Sequence, residues 1–195
     1  MGQPAAVLVP LVYLPRPDTQ PPTHAEQPDK EAVGAQRNLA EPGEWHIILM
    51  VRTDRGPHGG QVSFPGGRPE PGDRCLLDTA LREAQEELGI DPATVRILDT
   101  LPVVETIVSN FSITPFVGVL DRRPGYRLQE EECVAVLEVP LSALRTPQED
   151  WWDLPGGQRL VRWYPWQGQK IWGATFRIIQ HLLAALERGL VLPTP

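Results

Sequence analysis

Two rhythms of apolar positions run through this chain. Short β-branched and aliphatic runs at Ala5 to Tyr13, Trp45 to Arg52, Val95 to Ile107, Phe111 to Leu120 and Cys133 to Val139 predict strands. A three-to-four residue repeat predicts two helices. One spans about Arg74 to Leu88, with Leu77, Ala80, Leu81, Ala84 and Leu88 on its apolar face; the other spans Ala174 to Leu190, on Phe176, Ile179, Leu182, Leu183 and Leu186. Leu141 to Leu144 predicts a short helical turn, and Leu160 to Tyr164 and Lys170 to Trp172 bracket a turn at Gly168. From Leu14 to Gly43 the rhythm stops in a stretch rich in proline and polar residues, a long insert with a candidate short helix near Lys30 to Leu39. The mix of elements predicts an α/β protein, a mixed sheet packed between helices.

The first helix carries the chemistry. Asp73 is placed to cap its start, and Gly89 to end it in a left-handed turn. Glu83, Glu86 and Glu87 stand at i, i+3 and i+4, so their carboxylates converge. Like charges so spaced cost roughly 0.2–0.5 kcal/mol per pair in an isolated helix. A divalent cation reverses that sign. Mg²⁺ takes one or two protein carboxylates together with phosphate oxygens, which Glu83 and Glu87 could supply, one turn apart, with Glu86 completing the cluster. Arg82 can pair with Glu86 or orient a neighbouring carboxylate. An isolated Glu-Glu pair would read as a solvated helix face, but Gly66-Gly67 just upstream let the backbone bend close to this helix.

From Gly67 to Ile90 the segment resembles the box of the Nudix hydrolases, G-x5-E-x7-R-E-U-x-E-E-x-G-U, where U is a bulky aliphatic residue. Gly67 opens it, Arg82-Glu83 and Glu86-Glu87 form its charged centre, and Gly89-Ile90 close it. Asp73 stands where the pattern has a glutamate, Ala84 where it has a bulky aliphatic residue, and the interval from Gly67 to Arg82 is one residue longer than the common form. The run from His58 to Gly67, together with Glu132 to Leu141, Tyr164-Pro165 and Ile171 to Thr175, is similar to the coenzyme A pyrophosphatase branch of that family. That branch has an arginine four residues before the glycine of G-Q-V; here the position is Gly56, beside Arg55.

The resemblance implies an α/β/α sandwich and metal-dependent cleavage of the diphosphate linkage of coenzyme A or its derivatives, giving 3′,5′-ADP and 4′-phosphopantetheine. Mg²⁺ or Mn²⁺ would be held by Glu83, Glu86 and Glu87, and water would attack phosphorus in line. Glu83 and Glu132 are the candidates for the base, Glu132 matching the branch pattern better than Glu130 or Glu131. Arg52, Arg55, Arg68 and the backbone of Gly66 and Gly67 are candidates for meeting the substrate. The same machinery would serve a dinucleotide, ADP-ribose, a nucleotide sugar or a nucleoside triphosphate, and a third possibility is a nucleotide sensor that binds without cleaving.

Length and a hydrophobic fraction of 41% suit one globular domain over residues 1–195. No apolar run approaches the roughly 18–20 residues of a membrane span, and the N-terminal residues lack the features of a secretory leader, so a cytoplasmic location is expected. A net charge of −7 argues against a stable nucleic-acid partner and makes an anionic substrate depend on metal and local arginines. Cys75 and Cys133 are expected to be buried free thiols. Trp151, Trp152, Trp163, Trp166 and Trp172 crowd the last third, as core anchors or as stacking faces for a base.

Overall fold

Strands β1 (Gln3–Pro15) and β2 (Gly43–Arg52) are the spine of the molecule. The computed structural model describes residues 2–15, 43–53, 59–106, 110–154 and 156–194. Most of the predicted insert, with its candidate helix, lies outside the described residues. Its two ends are strand: Leu14 pairs with Glu44 and Pro15 with Gly43.

β1 runs parallel to β7 (Phe111–Leu120), from Gln3 opposite Phe111 to Val12 opposite Leu120. On its other side it is antiparallel to β2 and to the two-residue β4 (Gly66–Gly67). β2 pairs with β8 (Cys133–Pro140) and β3 (Val62–Ser63), and β7 with β5 (Val95–Thr100) and β6 (Val104–Glu105). The result is the expected mixed sheet, of eight strands among the described residues.

Period-two alternation sends side chains to two cores. Val9, Leu11, Ile47, Leu49 and Val51 meet α2 (Gly173–Glu187), through Phe176, Ile178, Ile179 and Leu182. Ala6, Leu8, Val12, Ile48 and Met50 meet α1 (Leu76–Leu88), through Ala80, Ala84 and Leu88. Both faces of β1 and β2 are therefore buried, which explains why their sequences are continuous apolar runs rather than alternating ones. Burial of a side chain such as Leu88 contributes about 1.5–3 kcal/mol.

Three expectations change. The single strand foreseen over Val95 to Ile107 is two strands, because Pro102 lies between them and has no N–H to give a ladder. Leu77 is not among the residues packed in the α1 core; Thr79 and Glu87 are buried on that helix instead. A strand unforeseen in the sequence, β9 (Gln148–Leu154), joins β10 (Gly157–Trp166) and β11 (Gln169–Ile171) in a second, three-stranded sheet. Five of the seven β9 residues are exposed and three are acidic, so no apolar run or alternation marks it. The turn at Gly168 stands as foreseen, at φ +78°.

Most of the tryptophans serve as anchors. Trp163 is buried, Trp166 packs on the α2 core, and Trp152 meets Trp172 edge-on at 5.1 Å. Lys170 Nζ lies 4.4 and 4.9 Å from the ring centroids of Trp163 and Trp152. Trp151 is exposed. Among the described residues no helix is long and apolar enough to cross a membrane.

Candidate active site

The turn entering α1 is held by Asp73, in a way the sequence did not suggest. Cys75, not Asp73, occupies the N-cap, makes no side-chain cap bond, and is exposed rather than buried; Cys133 is buried as expected. Asp73 Oδ2 accepts from the Glu70 N–H and from Thr79 Oγ1, both at 2.9 Å. Arg82 closes on the same carboxylate, its Nε 3.1 Å from Oδ1 and its Nη2 3.2 Å from Oδ2. These bonds, Arg82 first, hold Asp73 down to about 2. A nine-residue separation across a turn leaves no periodic trace. The box pattern, with an acidic residue ahead of its arginine, was the signal that could have found this pair.

Arg82 then reaches along the helix. Its Nη1 donates to Glu86 Oε2 at 2.8 Å, and its Nη2 donates to Glu83 Oε1 and to the Arg68 carbonyl, both at 3.1 Å. One guanidinium thus ties the entering turn to two of the three box glutamates, as only a planar, multiply donating group can.

At the other end of α1 the carboxylates are buried with less compensation. Glu87 is 2% exposed, and its Oε2 accepts from the Gly66 N–H at 2.8 Å. Burial pushes it up to about 8, with the nearby Glu83 adding to the rise and the Gly66 N–H and Arg52 opposing it. Glu83, 17% exposed, is also raised by burial. Gly67 is where the loop crosses it: a Cβ there would lie 2.3 Å from Glu83 Oε1, so no side chain fits without displacing the carboxylate. The helix then ends at Gly89, φ +71°, whose N–H donates to the Gln85 carbonyl, as foreseen.

Arg52, at the end of β2, sits between two carboxylates. Nη1 is 3.8 Å from Glu87 Oε1, and Nη2 is 3.6 Å from Glu132 Oε2. Glu132 lines a cleft of about 600 Å³ together with Glu70, Arg82, Glu83, Glu86 and Gln129. The structure therefore brings together Glu83, Glu86, Glu87, Glu132, Arg52, Arg82, Gly66 and Gly67. Arg68 is exposed beside them, while Arg55 and His58 lie outside the described residues. Gln129, at the cleft wall, was missed in the sequence; only its nearness to the strand starting at Cys133 hinted at it.

This donor set suits a hard cation. It consists of carboxylate oxygens, two of the carboxylates are destabilised as anions by burial, and Gly67 leaves Glu83 space that a Cβ would fill. Among the described residues no three acidic, histidine or cysteine side chains already form a coordination cage. Arg82 and Arg52 engage the same carboxylates, and Mg²⁺ needs only one or two of them beside water and phosphate oxygens.

Comparison with known proteins agrees with this geometry. The NUDIX domain model matches residues 28–141. Nudix hydrolase NudL of Yersinia enterocolitica, itself uncharacterized, is 38% identical over 142 residues, spanning 70% of this chain and 71% of that protein. NudL of Enterobacter sp. strain 638 is 42% identical over 137 residues, covering 68% of this chain and 69% of that protein. The fold is shared with the Nudix hydrolase RenU of M. smegmatis, at a TM-score of 0.60 and 15% identity over 98% of this chain and 90% of that one. It is shared also with the NUDIX domain of Shewanella oneidensis NrtR, solved with ADP ribose, at a TM-score of 0.54 and 14% identity over 95% and 89%. Nudix hydrolases generally use divalent metals and act on small nucleotide diphosphates. A box helix with its glutamates gathered under a double-glycine turn, matched by family model and by relatives alike, makes this chain a member of the Nudix hydrolase family.

Proposed function

We propose that the protein hydrolyses the diphosphate linkage of coenzyme A or its derivatives, releasing 3′,5′-ADP and 4′-phosphopantetheine. The observation that carries the hydrolase chemistry is the buried Glu87 and half-buried Glu83, both raised by burial, beside a cleft that Glu132 also lines. What supports coenzyme A is the resemblance of Gly60 to Gly67 and Glu132 to Leu141 to that branch of the family.

Glu83, Glu86 and Glu87 would hold Mg²⁺ or Mn²⁺. When bound, the cation supplies charge neutralisation at diphosphate oxygens and lowers the pKa of a water. Arg82 orients Glu83 and Glu86 through its two terminal nitrogens. Gly66 orients Glu87 through its N–H, leaving the other carboxylate oxygen toward Arg52. Glu132 is the base that takes the proton of the attacking water at one of its carboxylate oxygens, and Glu83 is the alternative to it. Arg68, exposed at the start of the box, and Arg52 are the cationic groups available to the substrate's phosphates, with Arg55 a further candidate.

A second reading keeps the machinery and changes the substrate. The NUDIX domain of Shewanella oneidensis NrtR, which shares the fold, was solved with ADP ribose, and the position of the branch's upstream arginine is Gly56 here. A sensor that binds without cleaving is disfavoured by the intact Glu83, Glu86 and Glu87.

The test is product analysis by mass spectrometry after incubation with Mg²⁺ or Mn²⁺ and coenzyme A, NADH, ADP-ribose or diadenosine polyphosphates, with Glu83→Gln as control. Phosphopantetheine released fastest from coenzyme A is the expected result. Faster cleavage of another member replaces the substrate, and binding without metal-dependent cleavage of any member points to the sensor.

A further inference from the structure

We infer that Thr53 is a positioning residue for the proton-accepting step, fixing Glu132 at the cleft through the backbone of the turn that carries it. This rests on the assignment of Glu132 as the base. Thr53 is the residue immediately after β2, and it grips the turn twice. Its N–H donates to the Glu132 carbonyl at 3.0 Å, and its Oγ1 donates to the Glu131 carbonyl, also at 3.0 Å. Two successive carbonyls held by one residue fix the peptide planes on either side of the Glu132 Cα, and so the direction in which the Glu132 side chain leaves the backbone.

The rest of the turn is fastened to the helix that bears the box glutamates. The Gln129 N–H donates to the Glu87 carbonyl at 3.1 Å and the Arg127 N–H to the Leu88 carbonyl at 3.0 Å, satisfying two carbonyls that the end of α1 would leave without intrahelical partners. The turn closes on itself through Glu132 N–H and Cys133 N–H, both 2.9 Å from the Gln129 carbonyl. Between Val51 and Arg52 the pairing of β2 with β8 slips: Val51 faces Ala135, Arg52 faces Cys133, and Val134 is the residue skipped. Such a bulge bends the strand and re-aims its neighbours. Helix and sheet thus each hold one side of the turn. Thr53 is the sheet-side fastening, and its hydroxyl is the one part of it that a side-chain change can remove. A threonine at a strand end has many uses, and nothing in the sequence singles this one out.

The experiment compares Thr53→Val, which keeps the shape and loses the hydroxyl, with Thr53→Ser, which keeps the hydroxyl, each alone and combined with Glu132→Gln. The assay uses whichever diphosphate of the panel above is cleaved fastest. We expect Thr53→Val to lower kcat about ten- to hundredfold, the scale of a small misplacement of a reacting group, with KM unchanged. Thr53→Ser restores the parent kcat, and Thr53→Val costs nothing more once Glu132 is Gln. A parent-like kcat in Thr53→Val, equal losses in both variants, or a loss that adds to that of Glu132→Gln would overturn the inference. If Glu132→Gln alone keeps the parent rate, the base assignment falls and takes this role with it; a large loss there beside an unaffected Thr53→Val removes Thr53 alone. Independently of turnover, amide hydrogen exchange over residues 129–133 rises in Thr53→Val, and unchanged protection there counts against the clamp.

Discussion

The two ends of the box helix treat a buried carboxylate in opposite ways. At the entering end Asp73 is only 5% exposed, yet it accepts hydrogen bonds from the Glu70 N–H, Thr79 and Arg82 and is held down to about 2. At the far end Glu87 lies deeper, with one backbone N–H at 2.8 Å and an arginine only at 3.8 Å, and burial pushes it up to about 8. The difference lies in depth and compensation together: burial dominates at Glu87, and hydrogen bonds from Arg82 and the Glu70 N–H dominate at Asp73. A carboxylate whose acceptor sites are filled by protein donors is a structural part, and one left short of positive charge is a place where a cation lowers the energy.

The largest effect that would break this comparison comes from Glu87. Glu87→Gln removes the anion while keeping the shape, and we expect divalent affinity to fall by about 10²-fold or more, beyond what outer-shell changes cost. Titration calorimetry with Mn²⁺ measures it, with Asp73→Asn alongside. If Asp73→Asn weakened Mn²⁺ binding as much as Glu87→Gln, the division between the two ends would be wrong.

Gly67→Ala sharpens the same contrast by a smaller step. A Cβ 2.3 Å from Glu83 Oε1 must move either the carboxylate or the loop. We expect kcat to drop about 10²-fold, as for a reacting group displaced by about an ångström, while the Asp73 end and the fold stay intact. Parent-like kcat with intact Mn²⁺ affinity would show that Glu83 does not need its present placement.

How far this was legible in the sequence follows from which forces are local. The helix with Glu83, Glu86 and Glu87 announces itself by periodicity and by the glycine that ends it, and the strands β1, β2, β7 and β8 by apolar runs, because burial along an element is written locally. β9 did not, since its pairing to β10 leaves its side chains largely in water and puts no apolar demand on them. The burial of Glu87 was equally invisible. It comes from the Gly66-Gly67 turn pairing with Ala6 and Val7 of β1, a contact across about sixty positions that no local pattern encodes. Asp73 looks like a cap in the sequence because capping is the local use of an aspartate before a helix, and the partner that redirects it, Arg82, stands nine residues on.

Asp73→Asn should cost the least in activity and most plainly in stability. It leaves the Glu70 N–H and Thr79 with a poorer acceptor and removes one of Arg82's charge partners, so Tm drops by several degrees at neutral pH while Mn²⁺ affinity holds.

The pH dependence of stability in EDTA-treated protein then separates the two ends by sign. Asp73 titrates near 3.8 when unfolded and near 2 when folded, so its contribution is complete above about 4 and is lost as pH falls toward 2. Glu87 runs the other way. Its folded value near 8 lies above the ordinary 4.5, so the unfolded chain releases the proton first, and stability is lost as pH climbs from about 4.5 to about 8. In Tm measurements without metal, Asp73→Asn should flatten the acid limb alone and Glu87→Gln the alkaline limb alone. Added Mn²⁺ should flatten the alkaline limb of the parent, because a cation beside Glu87 restores the charge that burial denies it. If the parent gained stability from pH 5 to pH 8 without metal, with Glu87→Gln removing that gain, Glu87 would be compensated by the protein after all, and the far end of the helix would be built like the near one.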